Sequence, residues 1–176
     1  TVVGAFDYDV PGAVDGTYCS VLVSAQDTTL DVLRARADVV AAVNSTDSLS
    51  GWVSLQHAWG GRPAVIVETG SHLESVRAVA TGRADVASID AVSWALFAEL
   101  EPESVSLLHV VGAGPRVPCL PVVASSAHAG DVPALRTAFA AAVADPAASE
   151  ACAALRIRGF VPMDLADYLP LRSLVP

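Results

Sequence analysis

Two short clusters of hydroxyl, imidazole and carboxylate residues carry the chemistry that this sequence offers. The first is Ser48-Leu49-Ser50-Gly51, and the second is Ser71-His72, followed by Asp90. Serine hydroxyls and free backbone N–H groups at a helix start can hold an oxyanion without lysine or arginine, because the dipole and the unpaired donors favour negative charge. Gly51 lets the backbone of such a loop approach a ligand closely. In the plainer reading Ser50 is a helix N-cap, Ser71 caps the next helix, His72 is solvated and Asp90 caps a third helix. Ser48 or Ser50, His72 and Asp90 are also the residue types of a hydrolase triad. However, Thr46-Asp47-Ser48-Leu49-Ser50 lacks the glycines of a nucleophile elbow. Phosphoryl transfer would further want a phosphate-loop lysine or a metal-holding acid, and the chain has no lysine. Reversible binding is therefore expected in preference to catalysis, with no cofactor.

Composition narrows the classes. Of 176 residues, 53% are hydrophobic and 16% charged, which supports a packed core. Mean hydropathy is +0.50, yet the longest apolar run, Ala138 to Ala144, is far short of the roughly 20 residues that span a bilayer. The net charge of −9, carried against ten arginines, excludes nucleic acid as an expected partner. Cys19, Cys119 and Cys152 have neither CxxC spacing nor nearby histidines, so no metal site is expected. His57, His109 and His128 are expected to be structural. Thr1 opens without a basic and apolar leader, so the chain is either cytoplasmic or lacks its N-terminal part.

The elements that must position the clusters alternate. Asp38 to Val43, Ala64 to Val67 and Ala84 to Ile89 read as buried strands. Helices are expected around Trp52, Leu55 and Trp59, stopping at Gly60-Gly61. Others are expected after Ser71, with Glu74 completing a capping box, and from about Val92 to Leu100. This βαβαβα order argues for an α/β fold with a parallel sheet, whose ligand edge lies at the carboxyl ends of the strands. Tyr18 to Val23 and Pro118 to Val123 read as strands that bracket this block. The chain is then helical over Val132 to Ala144 and Ala147 to Leu155, with Leu135, Phe139, Ala142 and Val143 apolar and no further strand to cover.

Taken in order, Tyr18 to Val23, the S-x-S-G of Ser48 to Gly51, Gly70-Ser71-His72, the run Ala78 to Ala87, Gly159-Phe160 and Asp167-Tyr168 resemble the phosphate/phosphonate-type solute-binding proteins of ABC transporters. The resemblance implies a type 2 periplasmic-binding-protein fold, with a parallel-sheet lobe inserted between two hinge strands. Residues 19–24 and 118–124 would be the hinges and 25–117 lobe 2. Residues 1–18 would be a remnant of lobe 1 and 125–176 its C-terminal helices. It implies a small oxyanion ligand such as phosphonate, phosphite or phosphate in the interlobe cleft. A permease partner is implied too, and a periplasmic or extracytoplasmic lipoprotein location. Tyr18 would close over the ligand, or pack between the lobes. Ser71 and the His72 N–H would add donors, and Asp90 would read a ligand ammonium group.

Leu49 stands where the family has its central hydroxyl, and Gly114 to Pro118 lacks the second acid of an aminoethylphosphonate site. Cys19 and Cys119, one on each hinge strand, leave a disulfide or two free thiols open. The N-terminal half of lobe 1, roughly a further 80–100 residues by typical lobe size, would be missing and required. Residues 133–155 packed on a sheet made wholly from residues 1–176 would count against this. The remaining alternatives are a Ser/His/Asp hydrolase-like enzyme and the effector-binding domain of a regulator.

Overall fold

The computed structural model describes residues 1–174. In chain order its strands are β1 (Val2–Tyr8), β2 (Thr17–Ser24), β3 (Val40–Val43), β4 (Val65–Glu68), β5 (Val86–Ile89), β6 (His109–Pro118), β7 (Pro121–Val123) and β8 (Ile157–Pro162). Its α-helices are α1 (Leu30–Arg34), α2 (Ser54–Trp59), α3 (His72–Ala80), α4 (Ala91–Leu100), α5 (Pro102–Val105), α6 (Val132–Ala144), α7 (Ser149–Ala154) and α8 (Leu165–Tyr168). The chain divides into two compact units, residues 19–115 and residues 1–18 together with the chain from Arg116 onward. The divisions fall inside β2 and β6.

Residues 19–115 are organised on a five-stranded sheet in the order β4-β3-β5-β2-β6. β3 pairs in parallel with β4 and β5, and β2 runs antiparallel to β5. Side chains alternate across a strand, so each short apolar run feeds two faces. Leu22, Ala41, Val43 and Val86 meet Leu33 of α1 and Leu55 and Trp59 of α2 on one face. Val23, Ala42, Ala87 and Ile89 meet Val76 and Val79 of α3 on the other, with Trp94, Phe97 and Val105 packed alongside. Both faces are covered, as a parallel sheet requires. The turns behave as their residue types dictate. Gly60 ends α2 in the left-handed conformation. Ser71 Oγ accepts from the Glu74 N–H at the start of α3. Asp90 Oδ1 accepts from the Ser93 N–H at the start of α4.

The other unit corrects the sequence expectation at two places. First, the expected strand Pro118 to Val123 is not continuous. β6 runs to Pro118 in the five-stranded sheet, and β7 joins a different sheet after the break at Cys119-Leu120. Secondly, the late helices do have strands to cover. β1 lies between β7 and β8, antiparallel to both, and α6 and α7 pack against this sheet. β8 escaped notice because Arg156-Ile157-Arg158-Gly159 breaks apolar alternation, and β1 because Gly4 interrupts its short run. These helices therefore find strands to cover within the chain.

Three rings hold this layer together. Phe139 of α6 stacks on Phe160 of β8 at 5.0 Å, and Phe6 of β1 meets both edge-on at 6.0 and 5.7 Å. Gly4 leaves the space that the Phe160 ring fills. Arg136 ties α6 to the sheet edge by donating to the Val3 and Met163 carbonyls and to Asp164. Tyr168 donates its hydroxyl to the Cys119 carbonyl at 2.9 Å. Among the described residues, Cys19, Cys119 and Cys152 form no disulfide. His128 pairs with Asp131 at 2.9 Å, and His109 lies 4.0 Å from Asp27. Among the described residues, no helix is long and apolar enough to cross a membrane.

Because the Phe139 ring is only half buried, Phe139→Ala is expected to cost about 2 kcal/mol, less than a fully buried ring. Hydrogen exchange should speed up for the amides of β1 and β8 and not for those of β3 and β5. Uniform acceleration throughout the chain would show that the ring cluster is not local to this sheet.

Candidate functional site

β3 and β5 lie side by side and parallel, so the loops that leave their carboxyl ends share one edge of the sheet. β3 leads into Asn44 to Ser48 and then into a π-helical turn, Leu49–Val53, that continues into α2. β4 leads through Thr69-Gly70 to α3, and β5 leads straight to Asp90 and α4. All the candidate ligand-binding residues, apart from Tyr18, fall within residues 19–115. Tyr18 is 5% exposed in β2.

The geometry joins two of the clusters. Ser50 Oγ lies 2.8 Å from His72 Nε2, across 22 positions of sequence. Ser48 Oγ accepts from the Gly51 N–H at 3.0 Å and stands 3.5 Å from Ser50 Oγ. The turn is widened in the way π-helical turns are, often at functional sites. The Ser48 carbonyl accepts from both Trp52 and Val53, and the Ser54 N–H is shared between the Leu49 and Gly51 carbonyls. The first N–H groups of the turn, from Leu49 and Ser50, have no acceptor within the helix. Gly51 is buried, and a methyl group there would fall on the carboxamide oxygen of Asn44. That oxygen is buried without a hydrogen-bond partner.

Sequence reading placed the cap two residues late, on Ser50 in place of Ser48, and missed the π-helical turn and Asn44 altogether. A two-residue shift in a cap is invisible in composition, and a π turn has no residue signature of its own. Ser88 was also missed. It is the one hydroxyl in β5, fully buried, and it donates to the Ser50 carbonyl at 2.6 Å.

His72 is the electrostatic centre. Burial holds its ring below the ordinary imidazole range, against the opposing pull of the Asp90 carboxylate and the Ser88 backbone carbonyl, which favour the charged form. His72 Nδ1 is buried without a hydrogen-bond partner. Asp90 Oδ1 accepts from the Ser93 N–H, and no hydrogen bond joins Asp90 to His72 Nδ1, so the described contacts do not assemble a Ser-His-Asp relay. Ser71 is exposed and its hydroxyl serves α3 as the cap, while its carbonyl accepts from Thr69 and Ser75. Among the described residues, no group of three His, Cys, Asp or Glu side chains is placed to hold a metal ion.

Residues 8–168 match the family model described as ABC transporter, phosphonate, periplasmic substrate-binding protein. The chain belongs to that family. No curated protein matches it. Among solved structures, a binding protein component of an ABC phosphonate transporter from Pseudomonas aeruginosa is similar, with a TM-score of 0.75 and 21% identity. The match covers 96% of this chain and 59% of that one, so the chain spans less than two thirds of that relative's length.

PhnD1 from Prochlorococcus marinus, solved in complex with methylphosphonate, has a TM-score of 0.70 at 14% identity, covering 97% of this chain and 70% of that one. A Xanthomonas citri protein bound to ATP has a TM-score of 0.63 at 19% identity, covering 97% and 68%. At these identities the likeness is one of fold, and the fold is that of the type 2 periplasmic binding proteins.

The depressed His72 sets a pH dependence with a definite sign. In the unfolded chain the ring takes up its proton near pH 6.5, above the folded value, so the unfolded state binds more protons as pH falls. The contribution of His72 to the stability of the ligand-free protein is therefore full above about pH 6.5 and declines as pH drops below it. Thermal midpoints measured at about pH 7.5 and pH 5 should show a smaller fall in His72→Asn than in the wild type. An equal fall in both would assign the dependence to other groups.

Proposed function

We propose that this chain is the substrate-binding component of an ABC transporter and takes a small oxyanion of the phosphonate, phosphite or phosphate class. The ligand-holding group is the edge formed by Ser48, Leu49, Ser50, Gly51, Ser71 and His72. The observation that carries this reading is the Ser50–His72 contact, which brings two helix starts from separate strands to one point. Family membership supports the same class.

The site is made of neutral donors: hydroxyls, backbone N–H groups and a ring that burial keeps uncharged. Such a set can hold an anion by hydrogen bonds of about 1.5–3 kcal/mol each and still release it, as a transport protein must. An anion beside His72 adds to the pull of Asp90 and favours a protonated ring, so binding is accompanied by proton uptake. Asp90 enters the reading as this second charge, and also remains the candidate for an ammonium group on the ligand. Leu49 supplies no side-chain donor, so its contribution is through the backbone. Tyr18 is the proposed closing residue. Release to a permease, residence in the periplasm or on an extracytoplasmic lipid anchor, and the absence of a chemical step all belong to this proposal.

Calorimetric and thermal-shift titrations with methylphosphonate, phosphite, phosphate and sulfate test it. At least one phosphorus oxyanion should raise the thermal midpoint. Ser50→Ala should weaken that binding by about 10-fold or more, and should also lower the ligand-free midpoint modestly, because His72 Nε2 loses its partner. Turnover of an ester substrate with no stabilisation by any anion would overturn the reading in favour of an enzyme.

A further inference from the structure

We propose that Ser88 is a positioning residue for this site: its buried hydroxyl pins the Ser50 carbonyl and so fixes where the Ser50 hydroxyl meets His72. The inference rests on the oxyanion reading of the Ser50–His72 edge.

Ser88 stands on β5, the central strand of the five-stranded sheet. Its strand neighbours Val86, Ala87 and Ile89 are all fully buried and apolar. A hydroxyl in such surroundings costs free energy unless it is bonded. Here the bond leaves the strand altogether and reaches the π-helical turn, at 2.6 Å to the Ser50 carbonyl. On either side of that carbonyl, those of Leu49 and Gly51 share a single N–H, that of Ser54. The turn is thus irregular just where Ser88 grips it.

The Ser88 backbone carbonyl also favours the charged form of the His72 ring. One residue of the rigid core therefore addresses both Ser50, from the loop after β3, and His72, from the start of α3. The groups that bear on the ring are the Ser50 hydroxyl, the Ser88 carbonyl and, from the start of α4, the Asp90 carboxylate. A hydroxyl that merely satisfied itself in the core would add stability and nothing else. A positioning hydroxyl must act through Ser50, and this difference is measurable.

The test combines two readouts on the full chain. One is calorimetric titration with methylphosphonate. The other is an NMR titration of the His72 imidazole without ligand. Ser88→Ala should weaken methylphosphonate binding by about 3- to 10-fold, the worth of one hydrogen bond. In a Ser50→Ala background the same change should weaken it no further, because the two residues act in series. The ligand-free His72 titration should move up toward the ordinary imidazole range in Ser88→Ala. If the alanine variant does not fold, Ser88→Cys, nearly isosteric but a weaker donor, should show the same effects in smaller measure.

Unchanged affinity in either variant, where the wild type binds, overturns the proposal whatever happens to stability. Additive losses in the double variant also overturn it, since Ser88 would then act independently of Ser50. A wild type that binds no anion removes the oxyanion reading instead. The His72 titration then decides alone: movement in the Ser88 variant supports positioning of the pair, and a superimposable curve rejects it.

Discussion

The constraint on which this protein depends is the burial of β3 and β5 on both faces. Val40 to Val43 and Val86 to Ile89 are pressed between α1 and α2 on one side and α3 on the other. Neither strand can carry exposed polar side chains along its length, so the polar chemistry is driven to the carboxyl ends. Asn44, Ser48 and Ser50 follow one strand and Asp90 the other. The small residues Ala41, Ala42 and Ala87 let the helices sit close, which brings the start of α3, and with it His72, to the same edge.

The one hydroxyl carried by these two strands is consistent with that constraint. Ser88 is tolerated at zero exposure because its bond is made to a backbone carbonyl of the loop. The same economy is visible at Gly51, where the space of a side chain is taken by the Asn44 carboxamide and the N–H is taken by Ser48. Packing and site chemistry are not separable here. The loop is shaped by buried polar contacts beneath it, and its free donors are what remains once those contacts are made.

The second unit is built differently. Its three-stranded sheet is covered by a largely exposed alanine-rich helix, and three phenylalanine rings with the Arg136 bonds supply its cohesion.

Much was legible in the sequence because local rules apply to it. Apolar runs of four residues, capping by Ser71 and the stop at Gly60 were enough to place α2, α3, α4 and the three parallel strands. Serine and glycine at a helix start, with no lysine in the chain, were enough to suggest a neutral-donor anion site. Only tertiary structure could decide that Ser50 meets His72, that Ser88 lies beneath them, and that β1 and β8 supply the sheet for the late helices. Each of these is a pairing between distant segments, set by strand order and register. Hydrophobic period and cap residues are local properties, and they carry no information about which ends meet.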